Sequence, residues 1–494
     1  MLEVLQTLID PINLLMMNIG VAAGIIIGAL PGLSVILAIA LLLPLTFGMD
    51  SIAGMYLLLG AYCGGTYGGS ITAILINTPG TPAASATMFD GYKLAQKGRA
   101  GDALKAALVA STIGGVISCF ALIFIAPPLA SMALKFGPPE YFALCLFGLT
   151  IVVSISSKNL LRGLISGGLG LLLSTVGIDA TEGIPRFMFG NQQLLSGIKP
   201  VIVMLGMFAV SEMMEKSRSV IERTQISTDF SKATMKIKDI LIHWKVILKS
   251  SIIGVIIGAI PGTGGAISAF FSYNEAKRTS KHPELFGTGV IEGVIAPESG
   301  NNAVTGATLI PLLTLGIPGD TAVAVLMGAL TMQGITPGPD LFTSGRYWVN
   351  SIMVGLLIIN IFMLLQGTLF IRAFANVARV PFSVLVPCIM VLCTLGAFAV
   401  VNTTFDIFLM LVFGFVGYLL KRFDFPIPPL TIALVLGELT ENNLRRSMIL
   451  SKGDISIFFT RPIALLFMAI AAFSLFFPIL RDALKSHKAK SKKD

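Results

Sequence analysis

Charged side chains are scarce in this sequence of 494 residues. Aspartate, glutamate, lysine and arginine make up 12% of it, whereas soluble globular domains carry about 25%. Hydrophobic residues make up 54%, and the mean hydropathy is +0.86. So few charges exclude an ordinary soluble surface. The sequence therefore predicts an all-α, polytopic membrane protein with about a dozen transmembrane elements, some of them half-spans.

Histidine and cysteine are also rare. The three histidines lie in polar or basic stretches, so no histidine-based metal site or intramembrane histidine relay can be assembled. The five cysteines lie in apolar runs without a CxxC pair, which is typical of small buried core residues. We expect no cofactor, and no metal ion other than a transported Na⁺.

Catalytic motifs are missing from the chain. It has no GxSxG elbow, no HExxH, no Walker A sequence and no GxGxxG in a βαβ setting. Without a P-loop, the chain is not expected to hydrolyse ATP itself, and we expect it not to be an enzyme. A membrane-embedded enzyme would need a nucleophile beside a histidine or a pair of aspartates. A passive channel would have no need of two broken-helix sites. These two functions remain the alternatives to a transporter.

One apolar segment occurs twice in the sequence. It reads GIIIGALPG at residues 24–32 and GVIIGAIPG at residues 254–262. Proline lacks the N–H that a helix needs and glycine tolerates the following turn, so each copy predicts a membrane helix that breaks inside the apolar layer. Irregular backbone at that depth survives only where protein or a water-filled cavity surrounds it. Two such interrupted segments in one chain point to a transporter's binding site.

A second pair of breaks follows the first. TPGT at residues 78–81 and IPGD at 317–320 lie at nearly the same distance behind their Pro-Gly segments, which indicates an internal duplication. The first copy is flanked by stretches without lysine or arginine, and the second by basic stretches. Basic loops stay in the cytoplasm, so the two copies are predicted to be inverted repeats with broken helices and re-entrant hairpins. The N-terminus is then periplasmic.

The distribution of apolar runs and basic stretches divides the chain into five predicted segments. These are a first transmembrane repeat (1–211), a basic cytoplasmic linker (212–249), a second transmembrane repeat (250–455), a C-terminal transmembrane helix (456–480) and a basic cytoplasmic tail (481–494). The basic tail follows an apolar span, so it is explained by membrane topology, and we expect no nucleic-acid partner.

Polar residues beside the four breaks form the predicted site. The positive ends of half-helices can hold an anion without a buried lysine, and serine, threonine and asparagine oxygens suit Na⁺. The residues predicted to bind the substrate are Gly32, Ser34, Thr78, Gly80, Thr81, Gly262, Thr263, Gly264, Gly319 and Asp320. Those predicted to bind the coupling cation, Na⁺ or H⁺, are Ser34, Asn77, Thr78, Glu298, Ser299, Asn301 and Asn302. Acidic residues at membrane depth are functional candidates, although Glu298 and Asp320 could also lie at a wet loop edge.

These motifs together resemble a known family. GALPG (28–32), the cluster GGTYGGS (64–70), INTPGTPA (76–83), FDGY (89–92), APESGNNA (296–303) and GIPGD (316–320) are similar to the large membrane subunit of tripartite tricarboxylate transporters, the TctA family. The resemblance covers about residues 21–436. It implies a bacterial inner-membrane symporter driven by an ion gradient. It also implies a substrate such as citrate or another di- or tricarboxylate, a periplasmic solute-binding protein that delivers it, and a small four-helix membrane subunit.

Overall fold

The computed structural model describes residues 2–156, 159–179, 181–217, 234–377 and 380–490. These residues are mostly helical with almost no strand, which confirms the all-α prediction. The predicted linker lies partly outside the described residues, at 218–233, and so do the last four residues of the predicted tail.

The helices fall into four consecutive groups along the chain. The first contains α1 (Leu2–Ile9), α2 (Pro11–Gly28), α3 (Val35–Leu42), α4 (Ser51–Ile76), α5 (Met88–Gln96) and α6 (Ala100–Ala133). The second contains α7 (Pro138–Ser156), α8 (Leu160–Ser174), α9 (Pro200–Met204) and α10 (Ser211–Lys216). The third contains α11 (Ile237–Leu241), α12 (Trp244–Gly258), α13 (Gly264–Thr279), α14 (Glu292–Ala307), α15 (Leu309–Leu315), α16 (Thr321–Met332) and α17 (Arg346–Leu369). The fourth contains α18 (Ile371–Val377), α19 (Phe382–Val401), α20 (Thr404–Arg422), α21 (Ile427–Leu450), α22 (Ile457–Thr460) and α23 (Pro462–Lys490).

Two irregular pieces interrupt the second group. A π-helical segment, Leu205–Val210, joins α9 to α10. Between α8 and α9, strand β1 (Gly177–Ile178) pairs antiparallel with β2 (Pro185–Arg186). We call the segment from β1 to β2 the hairpin.

Five of the described helices are long and apolar enough to cross a membrane. They are Pro11–Gly28, Ala100–Ala133, Arg346–Leu369, Phe382–Val400 and Thr404–Arg422. Shorter apolar helices, such as α3 and α16, accompany them. The mixture of full-length and shorter apolar helices supports a multi-pass membrane protein.

Both Pro-Gly segments break a helix where the sequence predicts. The first break separates α2 from α3, and the second separates α12 from α13. Gly32 and Gly262 have φ angles of +72° and +83°, which L-residues with a side chain rarely adopt. In each half, the first break is tied to the second by a backbone hydrogen bond. Gly32 N donates to Pro79 O at 3.4 Å, and Gly262 N donates to Gly319 O at 2.7 Å.

Glycines also bring the paired helices of each half into close contact. A Cβ on Gly24 of α2 would lie 2.5 Å from Ala61 O of α4, and a Cβ on Gly254 of α12 would lie 2.4 Å from Gly300 O of α14. Gly64 and Gly68, in the sequence cluster at 64–70, likewise pack against the backbone of α2. Small residues allow this approach in membrane helices, so these two glycines of the cluster serve helix packing.

Ion pairs mark two opposite ends of the helix bundle. At the end that carries the hairpin, Lys199 pairs with Asp406 at the start of α20. At the other end of α20, Lys421 pairs with Glu212 of α10. Glu212 is the first residue of the predicted linker. We call these the hairpin end and the linker end. A helix of this length spans about 28 Å, close to the thickness of the hydrocarbon core.

Candidate functional site

A cavity of about 200 Å³ lies between the two halves of the chain. We call it the central cavity. The first half lines it with Ser34, Tyr62, Thr66 and Thr81, among others. The second half lines it with Thr263, Gly264, Asn301, Thr305 and Asp320, among others. Residues more than 200 positions apart in sequence therefore share one small space, in which several polar groups lie among apolar side chains.

Helix N-termini converge on the central cavity. α3 begins directly after Ser34, α13 begins after Thr263, and α16 begins after Asp320. A short 3-10 turn also begins after Thr81. All of them start at the Pro-Gly breaks. Because the N-terminus of a helix carries a partial positive charge and unpaired N–H groups, this arrangement favours an anion in the cavity.

The three helices differ in how their first N–H groups are satisfied. Ser34 Oγ accepts a hydrogen bond from Leu37 N at 3.3 Å, and Asp320 Oδ1 accepts one from Val323 N at 2.8 Å. α13 has no side-chain cap, because the Thr263 hydroxyl donates back to carbonyls at the end of α12, including Ile260 O at 2.9 Å. The first turn of α13 is therefore the one most available to a ligand.

Asp320 brings negative charge to the same space. Its Oδ2 accepts a hydrogen bond from the Tyr62 hydroxyl at 3.1 Å, and that hydroxyl lies 2.9 Å from Thr308 Oγ1. Among the described residues, no lysine or arginine lies close enough to Asp320 to interact with it electrostatically. The cavity therefore combines helix N-termini, which favour an anion, with the acidic side chain of Asp320, which has no counter-ion among the described residues.

Thr81 lies in the first half at the position that corresponds to Asp320. It is only 4% exposed, and its Oγ1 has no hydrogen-bond partner among the described residues. Gly69 makes room for this hydroxyl, because a Cβ there would lie 2.4 Å from Thr81 Oγ1. Buried polar atoms nearly always have a partner, so this hydroxyl is poised to bond to a ligand in the cavity.

Glu298 lies behind the cavity, on α14. It is fully buried. Its Oε1 accepts from Thr87 Oγ1 at 2.5 Å, and its Oε2 accepts from Ser111 Oγ at 2.9 Å. Asn302 Nδ2 donates to Ser111 Oγ at 2.8 Å. These four side chains form a buried network that we call the Glu298 network.

The sequence-predicted residues thus separate into several groups. The central cavity brings together Ser34, Thr81, Thr263, Gly264, Asn301 and Asp320. Glu298 and Asn302 belong to the Glu298 network, and the neighbouring Ser299 is buried with an unpartnered hydroxyl. Gly32, Gly80, Gly262 and Gly319 form the turns themselves. A Cβ on Gly80 would lie 1.9 Å from Gly28 O, and one on Gly319 would lie 2.7 Å from Thr308 Cα, so packing alone accounts for these two glycines.

Asn77 and Thr78 are exposed and lie outside the central cavity's lining. Asn77 adopts a left-handed conformation, φ 55°, and ends α4. The Thr78 hydroxyl bonds locally to Ile76 O. Their predicted contact with the substrate or cation stays a prediction without support from this geometry.

Sequence reasoning missed Tyr62, Thr66 and Thr305. All three lie within regular helices, α4 and α14, whereas the prediction concentrated on the breaks. A buried tyrosine needs a partner for its hydroxyl, so the tyrosines of the apolar α4 were the available signal. The partners of Tyr56 and Tyr62 could not be read from the sequence, because they lie in the other half.

A larger cavity, of about 750 Å³, opens at the hairpin end. We call it the hairpin cavity. Arg186 lines it and pairs with both Asp179 and Glu441. Backbone N–H groups of Glu182 and Thr181, followed by the nearby arginines, lower the pKa of Asp179. Gly316 lines the hairpin cavity and Asp320 lines the central one, so the loop 316–320 separates the two spaces.

Comparison with known proteins adds three findings. The family model described as "Tripartite tricarboxylate transporter TctA family" matches residues 14–432. The chain is 39% identical over 465 residues to an "Uncharacterized 52.8 kDa protein in TAR-I ttuC' 3'region" of Agrobacterium vitis, covering 94% of this chain and 93% of that relative. It is 40% identical over 211 residues to an "Uncharacterized protein in TAR-II ttuC' 3'region" of the same organism, covering 43% of this chain and 87% of that relative. No solved structure matches the chain significantly.

Proposed function

Because the chain belongs to the tripartite tricarboxylate transporter TctA family, we propose that it is the subunit through which the substrate crosses the membrane. The substrate is a small anion, citrate or a related di- or tricarboxylate, and it binds in the central cavity. The observation that carries this proposal is the convergence of the N-termini of α3, α13 and α16 on one polar space between the halves. The cavity, at about 200 Å³, is below the range of about 300–1,000 Å³ for drug-sized ligands, which suits a small substrate.

The charges at the cavity support cation coupling. Each helix N-terminus is worth about half an elementary charge. An ionised di- or tricarboxylate together with Asp320 brings more negative charge than the three helix ends can offset. A cation, Na⁺ or H⁺, therefore accompanies the substrate in this proposal. Asp320 and Ser34 are the acceptor groups of the cavity nearest to helix starts, so they are the first candidates for contact with it.

Membership of a tripartite system implies associated subunits. In this proposal the chain lies in the bacterial inner membrane with a small four-helix subunit, and its hairpin end faces the periplasm, where a solute-binding protein delivers the carboxylate. The basic stretches 236–249 and 277–281 support a cytoplasmic linker end. The matching hydrogen bonds of Gly32 and Gly262 support two repeats of one design. In this proposal the two repeats are inverted, which the charge distribution supports.

Uptake into proteoliposomes tests this function. The complete complex, with the small subunit and the binding protein, is reconstituted and supplied with radiolabelled di- and tricarboxylates. We expect saturable accumulation of at least one of them only when an inward Na⁺ or H⁺ gradient is imposed. Non-saturable equilibration without a gradient would favour a channel. Chemical conversion of the carboxylate would favour a membrane-embedded enzyme.

A further inference from the structure

Glu298 has an unusual environment for a buried carboxylate. Its two oxygens accept hydrogen bonds from Thr87 and Ser111, and within the described part of the chain no cationic side chain reaches it. An ionised carboxylate that is buried with only neutral partners is costly. The low-energy state of this network is therefore one in which the carboxylate carries a proton or is accompanied by a cation.

Two other buried carboxylates, Asp90 and Asp102, have the fixed donors that Glu298 lacks. Asp90 accepts from the Tyr273 hydroxyl and from the N–H groups of Gly287, Gly289 and Val290. Asp102 pairs with Arg99 and accepts from the backbone N–H groups of Thr234 and Met235 in the linker. Both are at the linker end and are surrounded by fixed donors. Among the described residues, Glu298 has neither an arginine nor a backbone donor.

The donors of the Glu298 network suit a proton better than a metal ion. Asn302 Nδ2 donates to Ser111 Oγ, so the Ser111 hydrogen is directed to Glu298 Oε2. A metal ion would need these oxygens to turn their lone pairs toward it. A protonated carboxyl instead fits the geometry directly, because it can donate to Thr87 Oγ1 and still accept from Ser111.

Glu298 is the titratable group that the Thr87 and Ser111 hydroxyls contact, and other titratable groups lie nearby. Those on the helices packed against α14, and on α14 itself, are Tyr56, Tyr62, Cys63, Tyr67, Asp90, Tyr92, Lys93, Asp102, Lys105, Cys119, Lys245, Lys249, Tyr273, Glu275, Lys277, Arg278 and Glu292. Tyr67 lies close enough to interact electrostatically with Glu298. Several charged groups engage other partners. Lys105 bonds to Met235 O, and Lys249 pairs with Glu275.

The network is connected to the central cavity along two short paths. On α14, Asn301 lines the cavity one turn after Glu298. On the first half, Thr81 lines the cavity and Thr87 follows it across the 3-10 turn Pro82–Ser85. A shift of either half on substrate binding therefore changes the distance between Glu298 and the hydroxyl that holds it.

We propose that the Glu298 network is the binding site of the coupling proton, separate from the substrate cavity. The proton binds to the Glu298 carboxylate from the side of higher proton activity when the carboxylate substrate binds. It is released on the other side when Thr87 and Ser111 solvate the ionised form. This inference rests on the proposed transport function and adds a proton site to it, apart from the cation that Asp320 and Ser34 contact in the central cavity.

Glu298→Gln in the complete reconstituted complex tests the inference, because glutamine imitates the protonated carboxyl. We expect wild-type uptake to rise with an inward proton gradient and to fall as external pH rises. The Gln variant should retain carboxylate counterflow, which needs no net proton movement, and lose at least about 90% of the gradient response. Glu298→Asp, which can still titrate, should restore part of it. The wild type and the variants are compared at the same pH, so the ionisation of the substrate is the same in each comparison.

Calorimetry of carboxylate binding in buffers of different ionisation enthalpy provides a second measurement. The Gln variant should take up about one proton fewer per substrate than the wild type. Ser111→Ala removes a donor to the ionised form, so the midpoint of the uptake–pH profile should move to higher pH. Thr112→Val, on the same helix with its hydroxyl bonded to Leu108 O, should leave that midpoint unchanged.

Three results would overturn the proton site. They are a wild-type gradient response in Glu298→Gln, an unmoved midpoint in Ser111→Ala, or wild-type uptake that follows Na⁺ and ignores the proton gradient. Each of these leaves carboxylate transport itself intact. Absence of carboxylate counterflow in the wild type would instead contradict the proposed function.

Discussion

The two halves of this chain share a backbone design but differ in the chemistry they present to the central cavity. In both, a glycine at the first break bonds to the second break, and the helix before the second break ends in a left-handed residue, Asn77 or Gly316. After the break, however, the first half presents the unpartnered hydroxyl of Thr81 and the second half the carboxylate of Asp320.

This difference indicates a division of roles. A neutral hydroxyl can bond to a bound anion at no charge penalty, whereas a carboxylate repels an anion and attracts a cation. In the proposed function, the similar backbones supply helix N-termini from both halves, and the side chains after the breaks distinguish the ions. Transport of an anion with a cation needs such an asymmetric site within a similar scaffold.

The largest effect should come from variants that disrupt the close helix packing found in both halves. Gly24→Ala and Gly254→Ala each drive a methyl group into a backbone carbonyl of the partner helix. Overpacking of this kind costs about 1–3 kcal/mol or more, so both variants should lose yield and thermal stability in detergent. Gly168→Ala, which places its Cβ in open space on α8, is the control. If only one of the two variants is unstable, the packing of the halves is not equivalent.

Asp320→Asn should have the next largest effect. It should reduce transport without lowering stability. Asparagine caps helices about as well as aspartate, so stability should hold. Losing a charged hydrogen-bonding group, worth about 1.5–3 kcal/mol, should reduce cation-dependent uptake by about ten- to a hundredfold. Asp50→Asn is the matched control, because Asp50 caps α4 through Ile52 N and Ala53 N outside the cavity lining. Equal losses in both variants would mean that Asp320 acts only as a cap.

Thr81→Val sharpens the comparison from the first half. The valine keeps the shape and removes the hydroxyl, so the KM for the carboxylate should rise by about tenfold through the lost hydrogen bond. Thr72→Val removes another buried, unpartnered hydroxyl on α4 outside the lining and should leave KM unchanged. Initial uptake rates over a range of substrate concentrations measure both. A KM that stays constant in Thr81→Val would remove Thr81 from the site.

The smallest expected effect, on the free energy of unfolding, comes from changing the side chains that precede α3 and α13. Ser34→Ala removes the acceptor for Leu37 N and should lower the free energy of unfolding by about 1 kcal/mol. Ser34→Asn, which can still cap, should restore it. The Thr263 side chain makes no cap bond to the first turn of α13, so Thr263→Val should change stability less. Thermal denaturation of the purified protein ranks the three, and the opposite order would contradict the assignment of caps.

Much of the fold was predictable because its signals are local. The breaks at Pro31-Gly32 and Pro261-Gly262 follow from a missing N–H and from φ angles that favour glycine, and the structure has them at the predicted positions. The candidate site was predictable only in part. Ser34, Thr81, Thr263 and Asp320 follow directly from the breaks, whereas Tyr62 lies in the middle of a regular helix.

The sequence by itself determined the membrane class, the positions of the broken helices and the correspondence of the two halves, since each depends on composition or on a few neighbouring residues. Only the tertiary structure decided which polar groups meet. It joined Tyr62 to Asp320 across the halves, turned Glu298 toward Ser111 and Thr87, and left Asn77 exposed. The physical reason is that such meetings depend on how helices distant in sequence pack and rotate against one another.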